Sequence, residues 1–132
     1  MGTRRPAVSD TELDVLKAVW EHGPCTVREA NAALRRRGRR WAYTTVLTLL
    51  QRLEAKGYVR SDKSETAHVF AATVSRDALL QQRLRELADE LCKGTATPLL
   101  LALVENHRFT AEEIAQFRHL LDELAQQKPK RE

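Results

Sequence analysis

Thr44, Thr45, Thr48, Gln51 and Arg52 stand close together in the stretch Trp41–Gly57, WAYTTVLTLLQRLEAKG. Read at 100° per residue, Thr44, Thr48, Gln51, Arg52 and Ala55 share one side of a helix, with Thr45 beside them. That face is short, hydroxyl-rich and nearly free of acids. Hydroxyls, methyls and an amide are groups that can meet the base edges of a DNA groove at close range. An ordinary Thr-rich amphipathic helix would show the same pattern, so the neighbouring segments decide between the two.

Just before this helix lies Arg35-Arg36-Arg37-Gly38-Arg39-Arg40. Such a cluster repels itself unless anions neutralise it. Between one helix and a Thr-faced successor it lies where a nucleic-acid backbone would pass, which makes Arg39 and Arg40 candidates for phosphate contact. Residues 1–73 hold 13 Lys and Arg against 8 Asp and Glu, whereas residues 74–132 hold 9 against 10. The basic excess therefore sits in the half with the Thr-faced helix, as phosphate-driven DNA affinity requires.

Other chemistry finds little support. His22, His68, His107 and His119 lie on different elements without ligand spacing. His22 and Cys25 flank a Gly-Pro turn, and Glu112-Glu113 suits a helix start. There is no Gly-rich phosphate loop, no HExxH and no catalytic carboxylate pair. We expect no enzyme, no metal site and no cofactor. Cys25 and Cys92 lack CxxC context and read as thiols of a cytoplasmic protein. Arg4 and Arg5 precede no apolar stretch, so no signal peptide is expected. No run reaches the roughly 18 apolar residues of a membrane span.

The elements that position these residues can be read in order. At 132 residues, 42% hydrophobic and 30% charged, the chain suits one globular domain with an extension. Ser9-Asp10-Thr11-Glu12 is a capping box opening a helix with Leu13, Leu16, Val19 and Trp20 on one face, and Gly23-Pro24 stops it. Thr26-Val27-Arg28-Glu29 opens a second helix with Val27, Ala30 and Leu34 inward. In the third, Ala42, Val46, Leu49, Leu50 and Leu53 form the apolar stripe, and Gly57 ends it. Tyr58–Ser61 and Ala67–Ala72, with Val69 inward, read as a hairpin around a polar turn. The order helix–helix–helix–hairpin is that of a winged helix-turn-helix, whose third helix enters the major groove.

Val8–Trp20, Trp41–Val59 and Ala67–Phe70 resemble the penicillinase-repressor (BlaI/MecI/CopY-type) family of transcriptional repressors. Trp41, Thr45, Val46, Thr48, Leu50, Arg52 and Leu53 meet its Trp-x-x-x-Thr-Val/Ile-x-Thr-x-Leu-x-Arg-Leu pattern, and the likeness continues through Lys93–Asn106. The resemblance implies a homodimer on a palindromic operator. Tyr43, Thr44, Thr45 and Thr48 would face the bases, and Arg52 and Lys56 would lie near phosphates. Relatives often carry Lys where Thr44 stands, and Gly-Arg where Glu65-Thr66 forms the wing tip. Some relatives are cut by a sensor-linked protease at an Asn-Phe bond, a possible further partner; here Ala102-Leu103 takes that place. The copper-responsive relatives' C-terminal cysteine motif is missing.

Beyond Ser75, which can cap a fourth helix, Leu80, Leu84, Leu87 and Leu91 recur at steps of four, three and four, a coiled-coil-like seam. Thr97-Pro98 opens a helix apolar on nearly every side, including Leu100, Leu103 and Val104. Thr110–Glu113 caps a last one carrying Ile114, Phe117, Leu121 and Leu124, and Pro129 begins a basic tail. One small chain cannot bury so much leucine, and a two-fold dimer would cover it. The expectation is a mostly α protein, with a winged helix over 1–74 and a helical dimerisation region over 75–132, that represses transcription from a palindromic operator. Its rivals are a winged helix that binds protein, and a repressor released by a small ligand or metal.

Overall fold

The computed structural model describes residues 5–64 and 66–127. Arg4, Glu65 at the expected wing tip and the tail from Pro129 lie outside the described residues. Three reciprocal capping boxes set three of the helix starts. Ser9 opens α1, Asp10–His22, by accepting the Glu12 N–H while Glu12 takes the Ser9 N–H. Thr26 and Glu29 do the same for α2, Val27–Arg36, and Thr110 and Glu113 for α6, Ala111–Gln126. Each box satisfies two backbone donors that a helix start otherwise leaves unpaired.

The third helix, α3, runs Tyr43–Lys56 and begins without a side-chain cap at Ala42. Ala42 is exposed there rather than part of the stripe: as the capping residue its backbone is extended, which removes it from the helical periodicity. Gly57 ends α3 in the left-handed region at φ 89°, where a side chain would be strained. The chain turns directly into β1, Val59–Asp62, which pairs antiparallel with β2, Val69–Ala72, with Val59 opposite Ala72 and Asp62 opposite Val69.

Phe70, not Val69, is the inward residue of β2. Strand side chains alternate, so a one-residue difference in register reverses which face is buried. The register is fixed from outside the hairpin. Cys25, in the turn between α1 and α2, donates to the Phe70 carbonyl at 2.9 Å and accepts from the Phe70 N–H at 2.7 Å. The wing is thereby sewn to the helix-turn-helix.

The core lies between the three helices and the hairpin. Val15, Leu16 and Val19 of α1, Ala30 and Leu34 of α2, and Val46, Leu50 and Leu53 of α3 are almost fully buried, with Tyr58 and Phe70 closing one side. Small residues on α2 let it cross its neighbours closely. Truncating a side chain such as Leu50 to Ala costs roughly 2–5 kcal/mol in a core of this kind.

Contacts divide the chain after Arg83, partway along α4, Arg76–Leu91. The expected boundary after residue 74 falls inside the first unit, because the opening turns of α4 belong to the winged body. Ser75 caps α4 through the Ala78 N–H, Leu79 joins the core, and the Trp20 indole donates to the Val74 carbonyl at 2.8 Å.

The second unit holds the remainder of α4, α5, Thr97–Asn106, and α6. No described residue of α5 or α6 is buried. Phe109 and Phe117 meet edge to face at 5.0 Å. Among the described residues no helix is long and apolar enough to cross a membrane.

Candidate nucleic-acid interface

The buried stripe of α3 dictates its exposed one. With Val46, Leu49, Leu50 and Leu53 against the core, Thr44, Thr45, Thr48, Gln51 and Arg52 must project outward, and all five are exposed. Thr44, Thr45, Thr48, Leu49 and Arg52 line one shallow depression along that face. The Thr48 hydroxyl donates to the Thr44 carbonyl at 2.9 Å. This bond to the preceding turn fixes the Thr48 rotamer and leaves its oxygen lone pairs for an incoming donor.

Tyr43, 48% exposed, opens α3 and faces a different space. Together with Thr26, Val27, Arg28, Gln51, Thr66 and His68 it lines a cleft of about 420 Å³ between the start of α2, α3 and the wing. Arg28 and His68 therefore join the site, although neither was singled out for it. The available signal is positional: Arg28 stands in the first turn of α2, two residues after its Thr26 cap.

The arginine segment separates into two groups. Arg37 reaches Glu21 at 3.3 Å, and Arg39 reaches Asp14 at 2.8 Å while lying over the Trp41 ring at 5.5 Å. These bonds pin the α2–α3 turn to α1. Arg35, Arg36 and Arg40 are exposed and form no ion pair among the described residues. Arg40 and Arg52 thus keep their full charge outward, whereas Arg39 shares its own with Asp14.

Lys56 departs from the phosphate set that the resemblance implied. Its ammonium donates to Glu12 at 2.6 Å and to the Ala7 carbonyl at 2.8 Å. Glu12 is 2% exposed. Burial alone would push its carboxyl upward, but the Lys56 hydrogen bond, followed by the Ser9 cap bonds, outweighs that and holds it below the usual glutamate value. Moving Lys56 to an outside phosphate would strand a buried carboxylate, which costs several kcal/mol.

The same end of α3 anchors the wing and the N-terminal arm. Glu54 accepts from both the N–H and the hydroxyl of Ser61 on β1. Tyr58 donates to the Pro6 carbonyl at 2.7 Å, and Arg5 donates to the Gly57 carbonyl at 3.2 Å. The outward Thr stripe is therefore carried on a helix fixed along its inner side and at its C-terminal end, a rigid support for whatever that face contacts.

The histidines outside this surface have partners of their own. His22 lies 3.7 Å from Glu29, His119 lies 2.9 Å from Glu123, and His107 packs on Phe109.

Three helices, a two-stranded wing and an outward Thr face on the third helix define a winged helix-turn-helix protein. The sequence profile of the penicillinase repressor family matches residues 8–123, and the chain belongs to that family. It is 26% identical to the penicillinase repressor of Bacillus licheniformis over 89% of this chain and 91% of that protein. It is 36% identical to the transcriptional regulator BlaI of Mycobacterium tuberculosis over 89% of this chain and 84% of that protein. Among solved structures, the DNA-binding domain of the repressor BlaI aligns with a TM-score of 0.50 at 27% identity, covering 58% of this chain and 93% of that one.

Proposed function

We propose that this chain is a transcriptional repressor that occupies a palindromic operator as a homodimer and works in the cytoplasm. The observation that carries the reading is the exposed, acid-free face of α3. Thr44, Thr45 and Thr48 read base edges there, with Tyr43 at the wing side. Arg40 and Arg52 contact phosphates and Arg39 supports them, while Lys56 stays with Glu12. The family's named repressors point the same way.

Dimerisation is supported by the second unit. Leu84, Leu87, Leu91, Leu100, Leu103, Val104, Phe117 and Leu121 are all more than a third exposed. A monomer in water rarely leaves so many large apolar side chains uncovered. A second copy supplies a matching surface by two-fold symmetry, and it holds two α3 helices on one side of a duplex. Leu80, also exposed, continues the seam toward the winged body. Release by a protease that cuts Asn-Phe does not suit this chain, whose α5 has Ala102-Leu103 at that place.

The test is binding of the purified chain to its own upstream DNA, against a scrambled duplex of equal length, at low and moderate salt. The reading requires two protomers per site and a preference of about 1,000-fold or more. Equal affinity for both duplexes, falling together with salt, would reduce the basic half to an electrostatic patch.

A further inference from the structure

A second concave site lies between α1 and the first turns of α4, and of its lining only Leu80 belongs to the proposed dimer seam. Leu13, Lys17 and Trp20 recur on one face of α1, and Arg76, Leu79, Leu80 and Arg83 on one face of α4. These stripes enclose a groove of about 150 Å³. The spacing is i, i+4, i+7 on α1 and i, i+3, i+4, i+7 on α4, so each helix turns a continuous stripe into it.

The chemistry of the lining is uneven. Its walls are leucine and indole, and three cations rim it, with no carboxylate among the lining residues. Lys17 and Arg76 form no ion pair among the described residues. Arg83 makes a long bond, 3.4 Å, to the Val8 carbonyl. Arg76 lies over the Trp20 ring at 5.5 Å, and the indole N–H is committed to Val74. Three like charges beside an apolar hollow repel one another, and an anion with an apolar body would relieve that repulsion while filling the hollow.

We infer that this groove binds a small organic anion, a carboxylate on a single aromatic ring. Charge and lining select this class, and an open groove of about 150 Å³ gives one aromatic ring apolar wall to lie against. The carboxylate meets Lys17 and Arg83, and the ring lies against Leu13, Leu79 and Trp20. Four of the lining residues are on α4, so occupancy bears directly on how α4 seats against α1.

The test needs no DNA, so its outcome is independent of operator binding. Benzoate is titrated into the full-length chain while the Trp20 indole N–H resonance is followed by NMR. Acetate (charge without a ring) and benzyl alcohol (a ring without charge) serve as controls. For so few heavy atoms the expected dissociation constant is about 0.1–1 mM, with both controls at least about tenfold weaker. Lys17→Glu should remove the benzoate response, and Arg83→Gln should weaken it about tenfold. Lys17 is partly exposed, and an unchanged circular dichroism melt of the variant shows that the fold is kept. The inference is overturned if about 20 mM benzoate leaves the resonance unmoved, as a groove closed by a second copy of the chain would do. It is equally overturned if acetate matches benzoate, or if Lys17→Glu binds as well as the parent.

Discussion

Lys56 and Glu12 meet at 2.6 Å across 44 residues of sequence, one at the C-terminal end of α3 and the other in the first turn of α1. Glu12 is at once the reciprocal member of the α1 cap and the counterion of Lys56. Glu12→Gln should therefore remove the buried carboxylate charge and leave the Lys56 ammonium with neutral acceptors, the new amide oxygen and the Ala7 carbonyl. The expected cost is about 2–3 kcal/mol, a fall in melting temperature of roughly 10 °C. Thermal unfolding followed by circular dichroism would measure it.

The same pair sets a pH dependence. Glu12 titrates below its ordinary value in the folded chain, so the folded state favours the carboxylate. Its contribution is complete above about pH 5 and drains away as pH falls through the glutamate range, near 4.3 for the unfolded chain, and below. The parent should lose more stability between about pH 5 and pH 3 than Glu12→Gln does. Parallel urea melts across that window would show it, and identical slopes would mean that the pair does not govern the acid limb.

Phosphate and base contacts separate by their response to salt. Arg52→Ala should weaken binding to operator and scrambled DNA alike. In a dimer it removes two symmetric phosphate contacts, so the slope of log K against log salt should become shallower by about 2. Thr48→Ala should leave that slope unchanged and instead reduce discrimination at one position of each half-site by about 1–3 kcal/mol. Fluorescence anisotropy over a salt series separates the two.

Leu100 and Phe117 are exposed apolar side chains of α5 and α6. Replacing either with Asp would place a charge in the proposed dimer seam, where no partner awaits it. Sedimentation should show monomers, and full-operator affinity should fall about 100-fold or more while the melting of the winged body is retained. A monomeric parent chain would refute the seam directly.

The thiols should differ in reactivity. Cys25 is fully buried, and burial, with Glu29 adding to it, pushes its thiol up to about 11. Cys92 is partly exposed. At pH 8 iodoacetamide should label Cys92 and spare Cys25 until the chain unfolds, as peptide mass mapping would reveal.

Local periodicity and capping made much of this fold legible from sequence alone. Ser9, Thr26 and Thr110 announce their helices with an acid three positions on, and the α3 stripe fixes its Thr face without reference to anything distant. What escaped is long-range. Arg52 and Lys56 are one turn apart and read alike in a helical pattern, yet only Lys56 meets a buried acid, and nothing near residue 56 signals Glu12. Alternation places Val69 inward on β2 because it does not set its own origin; the Cys25 bridge to Phe70 does, from 45 residues away. Ala42 follows the 100° pattern but lies just outside the helix. The first turns of α4 look like any amphipathic segment, and it takes distant partners, among them the indole of Trp20 and the core around Leu79, to attach them to the winged body.

The hydrogen bond from Thr48 to Thr44 bears on the operator itself. With its proton committed to the helix, the Thr48 oxygen can only accept. In the major groove the exocyclic amino groups of adenine and cytosine donate, whereas guanine offers acceptors alone. A guanine facing Thr48 would have to break the intrahelical bond before it gained one of its own. On the proposed docking, guanine is therefore disfavoured where each Thr48 falls, adenine or cytosine is met through the Thr48 oxygen or thymine through its methyl, and the two half-sites repeat that preference symmetrically.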